Sequence, residues 1–105
     1  MVRVILESPY AGDIETNVGY ARVCIKHSLS LGEAPLASHL LYTQEGILDD
    51  TNEEERMLGI NAGLAWSALA DKHVFYVDYG MSAGMKMGLK LAKENNEVIE
   101  MRKIL

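Results

Sequence analysis

The stretch His73–Gly88, HVFYVDYGMSAGMKMG, joins a short apolar run to a glycine-rich turn and the start of a helical pattern. The run His73–Val77 has the composition of a strand that is buried on both faces. The turn Asp78–Gly80 follows it, and Ser82 can cap a helix that we expect to end near Asn95. Units in which a strand leads through such a turn into a helix build parallel α/β sheets.

The rest of the chain repeats this alternation of strand and helix. The four predicted strands lie at about Val2–Ser8, Ala34–Leu41, His73–Val77 and Glu97–Met101. The first predicted helix begins at a cap, Thr16 or Asn17, and ends at Gly32. The second begins at a capping box of Thr51 and Glu54 and ends near Ala70, and the third runs from Ser82 to about Asn95. Such alternation predicts right-handed parallel crossovers. We therefore expect an α/β fold, a flavodoxin-like or Rossmann-like three-layer sandwich with three main helices and a four-stranded parallel sheet in the order 2-1-3-4.

Length and composition place the chain among ordinary soluble proteins. Its 105 residues suffice for one domain with its own core, so we assign a single domain to residues 1–105. Apolar residues make up 49% and charged residues 24%. No apolar run approaches the roughly 20 residues that span a bilayer, and the N-terminus enters a strand pattern without a signal-peptide pattern. We therefore expect a cytoplasmic protein without a membrane partner.

Charge and cysteine usage exclude further classes. The net charge of −5 argues against a nucleic-acid partner, because such binding neutralises phosphates with a basic surface. The single Cys24 cannot form an internal disulfide, and no cysteine and histidine cluster has the spacing of zinc ligands. We expect Cys24 to pack in the core, and we assign neither a metal site nor a cofactor.

Ligands of parallel α/β sheets bind beyond the carboxyl ends of the strands, at the point where the strand order reverses. In the predicted order this point lies between strands one and three. Three loops should therefore meet there, and they span Ser8–Thr16, His39–Asp50 and Asp78–Met85.

The first loop contains the candidate ligand residues Ser8, Pro9, Tyr10, Gly12 and Asp13. Gly12 lets the backbone approach a ligand closely, and Tyr10 offers a flat face to a nucleobase. The alternative is a simple turn with a half-buried tyrosine.

The third loop contains the candidates Asp78, Gly80, Ser82, Gly84 and Met85. Free N–H groups at the start of a helix favour an anion such as a phosphate, and Ser82 can both cap the helix and contact that anion. Met85 can line a base pocket or pack in the core. The alternative for the whole loop is a capped helix with a glycine-rich approach.

The middle loop adds His39 and Asp50 as candidates. His39, at a strand end, can hydrogen-bond a ligand or carry a proton near neutral pH. Asp49 and Asp50 can hold ribose hydroxyls or simply cap and solvate a loop. Arg56 can pair with neighbouring acids or reach a phosphate.

Several segments carry a resemblance to a known family. They are Ser8–Asp13 (SPYAGD), Ser38–Tyr42 (SHLLY), Leu48–Asp50 (LDD), Glu55–Gly59 (ERMLG) and the pattern Ser82-x-Gly84-x-x-x-Gly88. Together they resemble the nucleoside 2-deoxyribosyltransferase-like superfamily, in particular a small phage and bacterial branch of mostly unassigned function. The resemblance covers nearly the whole chain.

This resemblance implies a pocket for a nucleotide-type ligand. Members of the superfamily carry a glutamate nucleophile where this chain has Gly88, so we expect a non-catalytic binder in which the missing side chain leaves room and removes negative charge beside a phosphate-rich guest. A phage protein that sequesters a host immune signal, such as an ADP-ribose-like or cyclic nucleotide, would fit, in the host cytoplasm. The resemblance also implies a homo-oligomer, because neighbouring subunits complete the pocket in such enzymes.

Two alternatives stay open at this point. One is hydrolysis or transfer at an N-glycosidic bond by a displaced carboxylate, for which Asp13, Asp49, Asp50 and Asp78 are the candidates. The other is a protein-interaction module with a vestigial cleft.

Overall fold

A computed structural model describes residues 1–105 and confirms the predicted fold class. The elements in chain order are β1 (Val2–Glu7), α1 (Ile14–Ser30), β2 (Glu33–Leu36), α2 (Ser38–Leu41), α3 (Glu53–Ser67), β3 (Lys72–Tyr76), α4 (Ala83–Glu94) and β4 (Ile99–Arg102). The four strands form one parallel sheet in the order β2-β1-β3-β4. Three helices are long and α2 is a single turn, so the layers are those of a three-layer sandwich.

The two central strands, β1 and β3, supply half of the buried apolar residues of the core. Leu6, Val74, Phe75 and Tyr76 are fully buried, as expected for parallel strands covered on both faces. Cys24 of α1 belongs to one hydrophobic cluster with Leu6, Val74 and Tyr76, which confirms its predicted core position. No helix combines the length and the apolar character that crossing a bilayer would require.

Strand two is shorter than predicted, and this changes the position of His39. The strand ends at Leu36, and His39 lies in the single-turn helix α2 rather than in a strand. Tyr42 N–H donates to the Ser38 carbonyl at 3.0 Å to close that turn. Pro35 lacks an N–H and is tolerated here because β2 is an edge strand.

Two of the three predicted helix caps are wrong by a few residues. Asp13 caps α1, accepting from Thr16 N–H at 3.2 Å, in place of Thr16 or Asn17. Asn52 caps α3 in place of Thr51, accepting from Glu55 N–H at 3.1 Å. The predicted cap of α4 is confirmed, since Ser82 Oγ accepts from the N–H of Met85 at 3.2 Å.

Candidate functional site

The largest cavity lies at the carboxyl edge of the sheet, where the predicted loops meet. Its volume is about 720 Å³, within the range of small-molecule sites. Its walls come from the loop after β1, from α2 and α3 with the segment between them, and from the first turns of α4. The right-handed crossovers bring these three segments together although they are far apart in sequence.

Most of the residues predicted from the sequence line this cavity. Eight of them do so: Ser8, Tyr10, Gly12, His39, Asp50, Ser82, Gly84 and Met85. Four others lie outside its lining: Pro9, Asp13, Asp78 and Gly80. Pro9 is buried, Asp13 caps α1, and Gly80 adopts a φ of +81° in the turn after β3.

The side chain of Asp78 forms hydrogen bonds with Tyr20 of α1 and with the backbone of Ile104 and Leu105. Its carboxylate accepts from the hydroxyl of Tyr20 at 2.5 Å and from the backbone N–H groups of Ile104 and Leu105 at 2.9 and 2.8 Å. Loss of hydration works against the charged form, but these hydrogen bonds outweigh it and hold the pKa of Asp78 below its usual value. The contacts of Asp78 therefore serve the fold.

The loop after β1 is held in a fixed shape against the cavity. The side-chain amide of Asn17 donates to the carbonyls of Tyr10 and Ala11 at 3.0 and 3.1 Å. Gly12 has a φ of +99°, which a residue with a side chain rarely adopts. Glycine at this position is thus required by the turn, and the turn sets the direction of Tyr10.

His39 and Ser8 form a polar contact at the cavity wall. Nε2 of His39 lies 2.7 Å from the hydroxyl oxygen of Ser8, and Nδ1 is buried without a hydrogen-bond partner. Burial lowers the pKa of His39, and the negative charge of Glu7 only partly opposes this. The uncharged imidazole, held by Ser8, thus forms part of the cavity wall, and its unpaired Nδ1 is not exposed to the cavity.

The start of α4 offers backbone N–H groups to the cavity. The first amides of any helix have no intrahelical partner, and here Ser82 Oγ takes up only that of Met85. A Cβ built on Gly84 would meet no atom within 4 Å, so the space beside this turn is open. Met85 is buried and forms part of the cavity floor.

The cavity contains one acidic residue that the sequence-based prediction missed. Glu7, the last residue of β1, lines the cavity with a side chain that is 18% exposed. A Cβ built on Gly88 would lie 2.8 Å from its Oε2, so the two residues are in close contact. Negative charge is therefore present beside Gly88, contrary to the expectation that the missing glutamate removes it. A carboxylate directly after the apolar run Val4–Leu6 was the signal that could have identified Glu7.

Behind Glu7, the buried ring of His73 lies between two carboxylates. Its Nε2 is 3.5 Å from Oε1 of Glu7, and its Nδ1 is 3.5 Å from Oε1 of Glu97. The His73 side chain is 3% exposed and lines the cavity, and neither ring nitrogen makes a hydrogen bond. Glu97 is not part of the cavity lining.

The charges of the lining are strongly unequal. Arg56 is its one arginine or lysine. The five carboxylates of the lining are those of Glu7, Asp49, Asp50, Glu53 and Glu55. Hydrogen bonds from the side chain and the backbone of Thr51 lower the pKa of Asp49, which keeps it charged. No group of three or more His, Cys, Asp or Glu side chains is arranged to hold a metal ion.

Comparison with solved structures gives a neighbour of the same fold. It is a 2-deoxyribosyltransferase from the psychrotolerant bacterium Bacillus psychrosaccharolyticus, described as a biocatalyst for the synthesis of antiviral and antitumoral nucleosides. The TM-score is 0.67 at 15% identity, and the match covers 97% of this chain and 72% of that one. At this identity the likeness establishes the fold alone, which this chain shares with that enzyme.

Sequence comparison places the chain in a family. No curated protein matches it. A family described as a domain of unknown function, DUF7768, matches residues 2–102, which is nearly the whole chain. The protein therefore belongs to the DUF7768 family of domains of unknown function.

Proposed function

We propose that the cavity binds a nucleotide-type ligand and releases it unchanged. The observation that carries the proposal is the meeting of three separate segments, each with predicted contact residues, around one cavity of about 720 Å³. Pockets of this size enclose molecules as large as a nucleotide. The deoxyribosyltransferase-like fold is consistent with a nucleoside-related ligand.

The lining suggests how such a ligand would lie. Tyr10 and Met85 offer flat or adaptable apolar contact to a base. The open amides at the start of α4, beside Gly84, together with Arg56, would receive a phosphate. The sugar would then lie between them, near the second turn of α4 at Gly88.

A binder of this kind would act by sequestration. The position of the superfamily nucleophile is occupied by Gly88, so α4 brings no carboxylate to the ligand. In a phage, such a domain would remove a host immune signal, for example an ADP-ribose-like or cyclic nucleotide, from the cytoplasm. Removal of such a signal by a phage protein is part of the proposed function.

Self-association is the second element of the proposal. Trp66 and Leu69 on the outer side of the molecule are 51% and 59% exposed, and they border an apolar groove with Leu41 and Tyr42. Large amphipathic aromatics are common at protein interfaces. Sedimentation of the wild type beside Trp66→Ser tests this, because a dimer through this face would become a monomer in the variant.

One observation favours a second candidate function. Glu7 places a carboxylate beside Gly88, so a displaced carboxylate for cleavage of an N-glycosidic bond is available in the cavity. A carboxylate can attack a sugar carbon or activate water. None of the four acids proposed from the sequence approaches Gly88 as closely as Glu7 does.

One experiment separates the two candidates. The protein is incubated with nucleosides, nucleoside phosphates, cyclic nucleotides and ADP-ribose, its melting temperature is measured, and the small molecules are recovered after heat denaturation. A raised melting temperature with intact ligand supports sequestration. Free base or free sugar indicates cleavage, and the absence of any shift contradicts the proposed ligand class.

A further inference from the structure

The contact between Glu7 and Gly88 explains why position 88 has no side chain. A Cβ at this position would lie 2.8 Å from Oε2 and 3.2 Å from Cδ of Glu7, closer than unstrained atoms approach. Gly88 therefore creates the space that the carboxylate of Glu7 occupies. The two positions act as a pair, and a glutamate at position 88 would displace the one at position 7.

The carboxylate of Glu7 retains the capacity to accept hydrogen bonds. Its one ion-pair contact is with Nε2 of His73, at 3.5 Å from Oε1, which is too long for a good hydrogen bond. Oε2 faces the Cα of Gly88 at the cavity. His73 is almost fully buried, lines the same cavity and has no hydrogen-bond partner of its own. The ring nitrogens of His73 are themselves fully buried, so the group that a ligand can reach is the partly exposed carboxylate of Glu7, an acceptor for a ligand that donates hydrogen bonds.

The surrounding charge limits how much phosphate such a ligand can carry. Around the cavity, five carboxylates oppose the single guanidinium of Arg56. Each phosphate of a di- or triphosphate would bring further negative charge into a cavity that is already negatively charged. Arg56 is the one arginine or lysine that could neutralise it. The lining offers a phosphate the open amides beside Gly84 and the side chain of Arg56, and it contains no second arginine or lysine.

We infer that Glu7 is the specificity-determining residue of the cavity and that it binds the sugar hydroxyls of a nucleoside or nucleoside monophosphate, to the exclusion of guests with more phosphates. This inference rests on the proposed function and narrows its ligand class. A hydroxyl donating to a carboxylate makes a charge-assisted hydrogen bond, about twice as strong as a neutral one. Gly88 lies four residues beyond Gly84, or roughly 6 Å further along the helix axis, so the proposed phosphate and hydroxyl contacts are about one helical turn apart.

The test measures affinity by calorimetry for the four common nucleosides and their mono-, di- and triphosphates. The best nucleoside or monophosphate should bind at least about tenfold more tightly than its triphosphate. Glu7→Gln should weaken binding of that ligand by about tenfold or more, the loss expected for one hydrogen bond to a charged group. For the 2′,3′-dideoxy analogue the same substitution should cost less than about threefold, because the donors are absent.

Glu97→Gln is the matched control. Glu97 contacts the same histidine at the same distance of 3.5 Å but does not line the cavity. Glu97→Gln should leave the ligand affinity unchanged. An effect that arises only from a change at His73 would appear in both Glu7→Gln and Glu97→Gln. Equal effects of the two substitutions would overturn the inference.

Gly88→Ala gives a second test that does not depend on removing the acid. The added methyl meets the far end of a flexible side chain, so the protein can accommodate it by moving Glu7. We expect little change in melting temperature and a loss of affinity comparable to that of Glu7→Gln. Because both changes act on one carboxylate, the double variant should bind no more weakly than either single variant.

Three further outcomes would each overturn the inference. Binding of no nucleoside or nucleoside phosphate would overturn the inference, and the proposed function falls with it if cyclic nucleotides and ADP-ribose do not bind either. Preference for triphosphates, or unchanged affinity in Glu7→Gln and Gly88→Ala, would overturn the inference and leave the proposed function standing. Cleavage by the wild type but not by Glu7→Gln would make Glu7 the reacting group, which also overturns a recognition role.

Discussion

Arg102 on one edge strand forms a bidentate ion pair with Glu33 on the other edge strand. Its Nη1 and Nη2 lie 2.8 and 2.6 Å from the two carboxylate oxygens of Glu33, and both side chains are less than 10% exposed. Lys72 on β3 adds a contact at 3.0 Å. The pair therefore ties β2 to β4 across one face of the sheet.

The first prediction concerns stability at low pH. Hydrogen bonding to Arg102 lowers the pKa of Glu33 to about 2 against the opposing effect of burial, from an ordinary value of 4.5. The folded protein thus favours the charged form, and this stabilisation is complete above about pH 4.5 and is lost as the pH falls towards 2. Glu33→Gln should lower the free energy of unfolding at pH 7 by about 3 kcal/mol. It should also flatten the pH dependence between 4.5 and 2, as measured by urea unfolding.

The exposed Glu94 provides the control for that measurement. Glu94→Gln removes a charge of the same sign without breaking an ion pair. If both variants showed the same pH dependence as the wild type, the Glu33–Arg102 pair would not be the cause of acid sensitivity.

The second prediction concerns the hydrogen bonds that Asp78 forms with Tyr20 and with the backbone of Ile104 and Leu105. The hydroxyl of Tyr20 donates to Asp78 and accepts from the Asp78 backbone N–H at 3.0 Å. Tyr20→Phe removes both hydrogen bonds of the buried Tyr20 hydroxyl, so the free energy of unfolding should fall by about 1.5–3 kcal/mol. Hydrogen exchange at Ile104 and Leu105 should rise in the same variant. Protection equal to the wild type at these two amides would contradict the role of Asp78 in holding the C-terminal residues.

The third prediction concerns the contact between α2 and α3. A Cβ built on Gly63 would lie 2.6 Å from Oγ and 3.1 Å from Cβ of Ser38, and the short serine side chain can move little. Gly63→Ala should therefore destabilise the protein by about 1–3 kcal/mol. Gly19→Ala is the matched control, because Gly19 lies on the exposed face of α1 with no atom within 4 Å of its built Cβ. The control should be stabilising by about 0.5–1 kcal/mol, since alanine is the better helix former.

The fourth prediction concerns the reactivity of Cys24. The thiol is fully buried in α1, and burial raises its pKa to about 11. A thiol-directed reagent at pH 7.5 should leave the native protein unmodified for hours and react with one equivalent per chain after unfolding in urea. Rapid labelling of the native protein would show that α1 does not pack as described.

The order of strands could be predicted from the sequence because hydrophobic runs and turns alternate clearly, as in Val2–Glu7 and Lys72–Tyr76. The segment from Ala34 to Leu41 was harder, since a short apolar run fits a strand and a buried helix turn equally well. Pro35 and the local hydrogen bonds of Ser38 decide it in favour of a strand that ends early. His39 consequently reaches the cavity from a helix.

The site was only partly predictable for a different reason. Tyr10 in the first loop and Gly84 at the start of α4 follow from the rule that ligands bind at the carboxyl edge, and both line the cavity. Glu7 and Gly88 are 81 positions apart in the sequence, and no local pattern relates them. Their contact depends on how closely α4 packs on β1, which is a property of tertiary structure.

The short strand β2, with its proline, has a consequence for aggregation. Pro35 removes one of the N–H donors with which an incoming strand would pair, and β2 has only four residues. This rim of the sheet is therefore a poor template for amyloid-like extension, and concentrated solutions should resist fibril growth from that side.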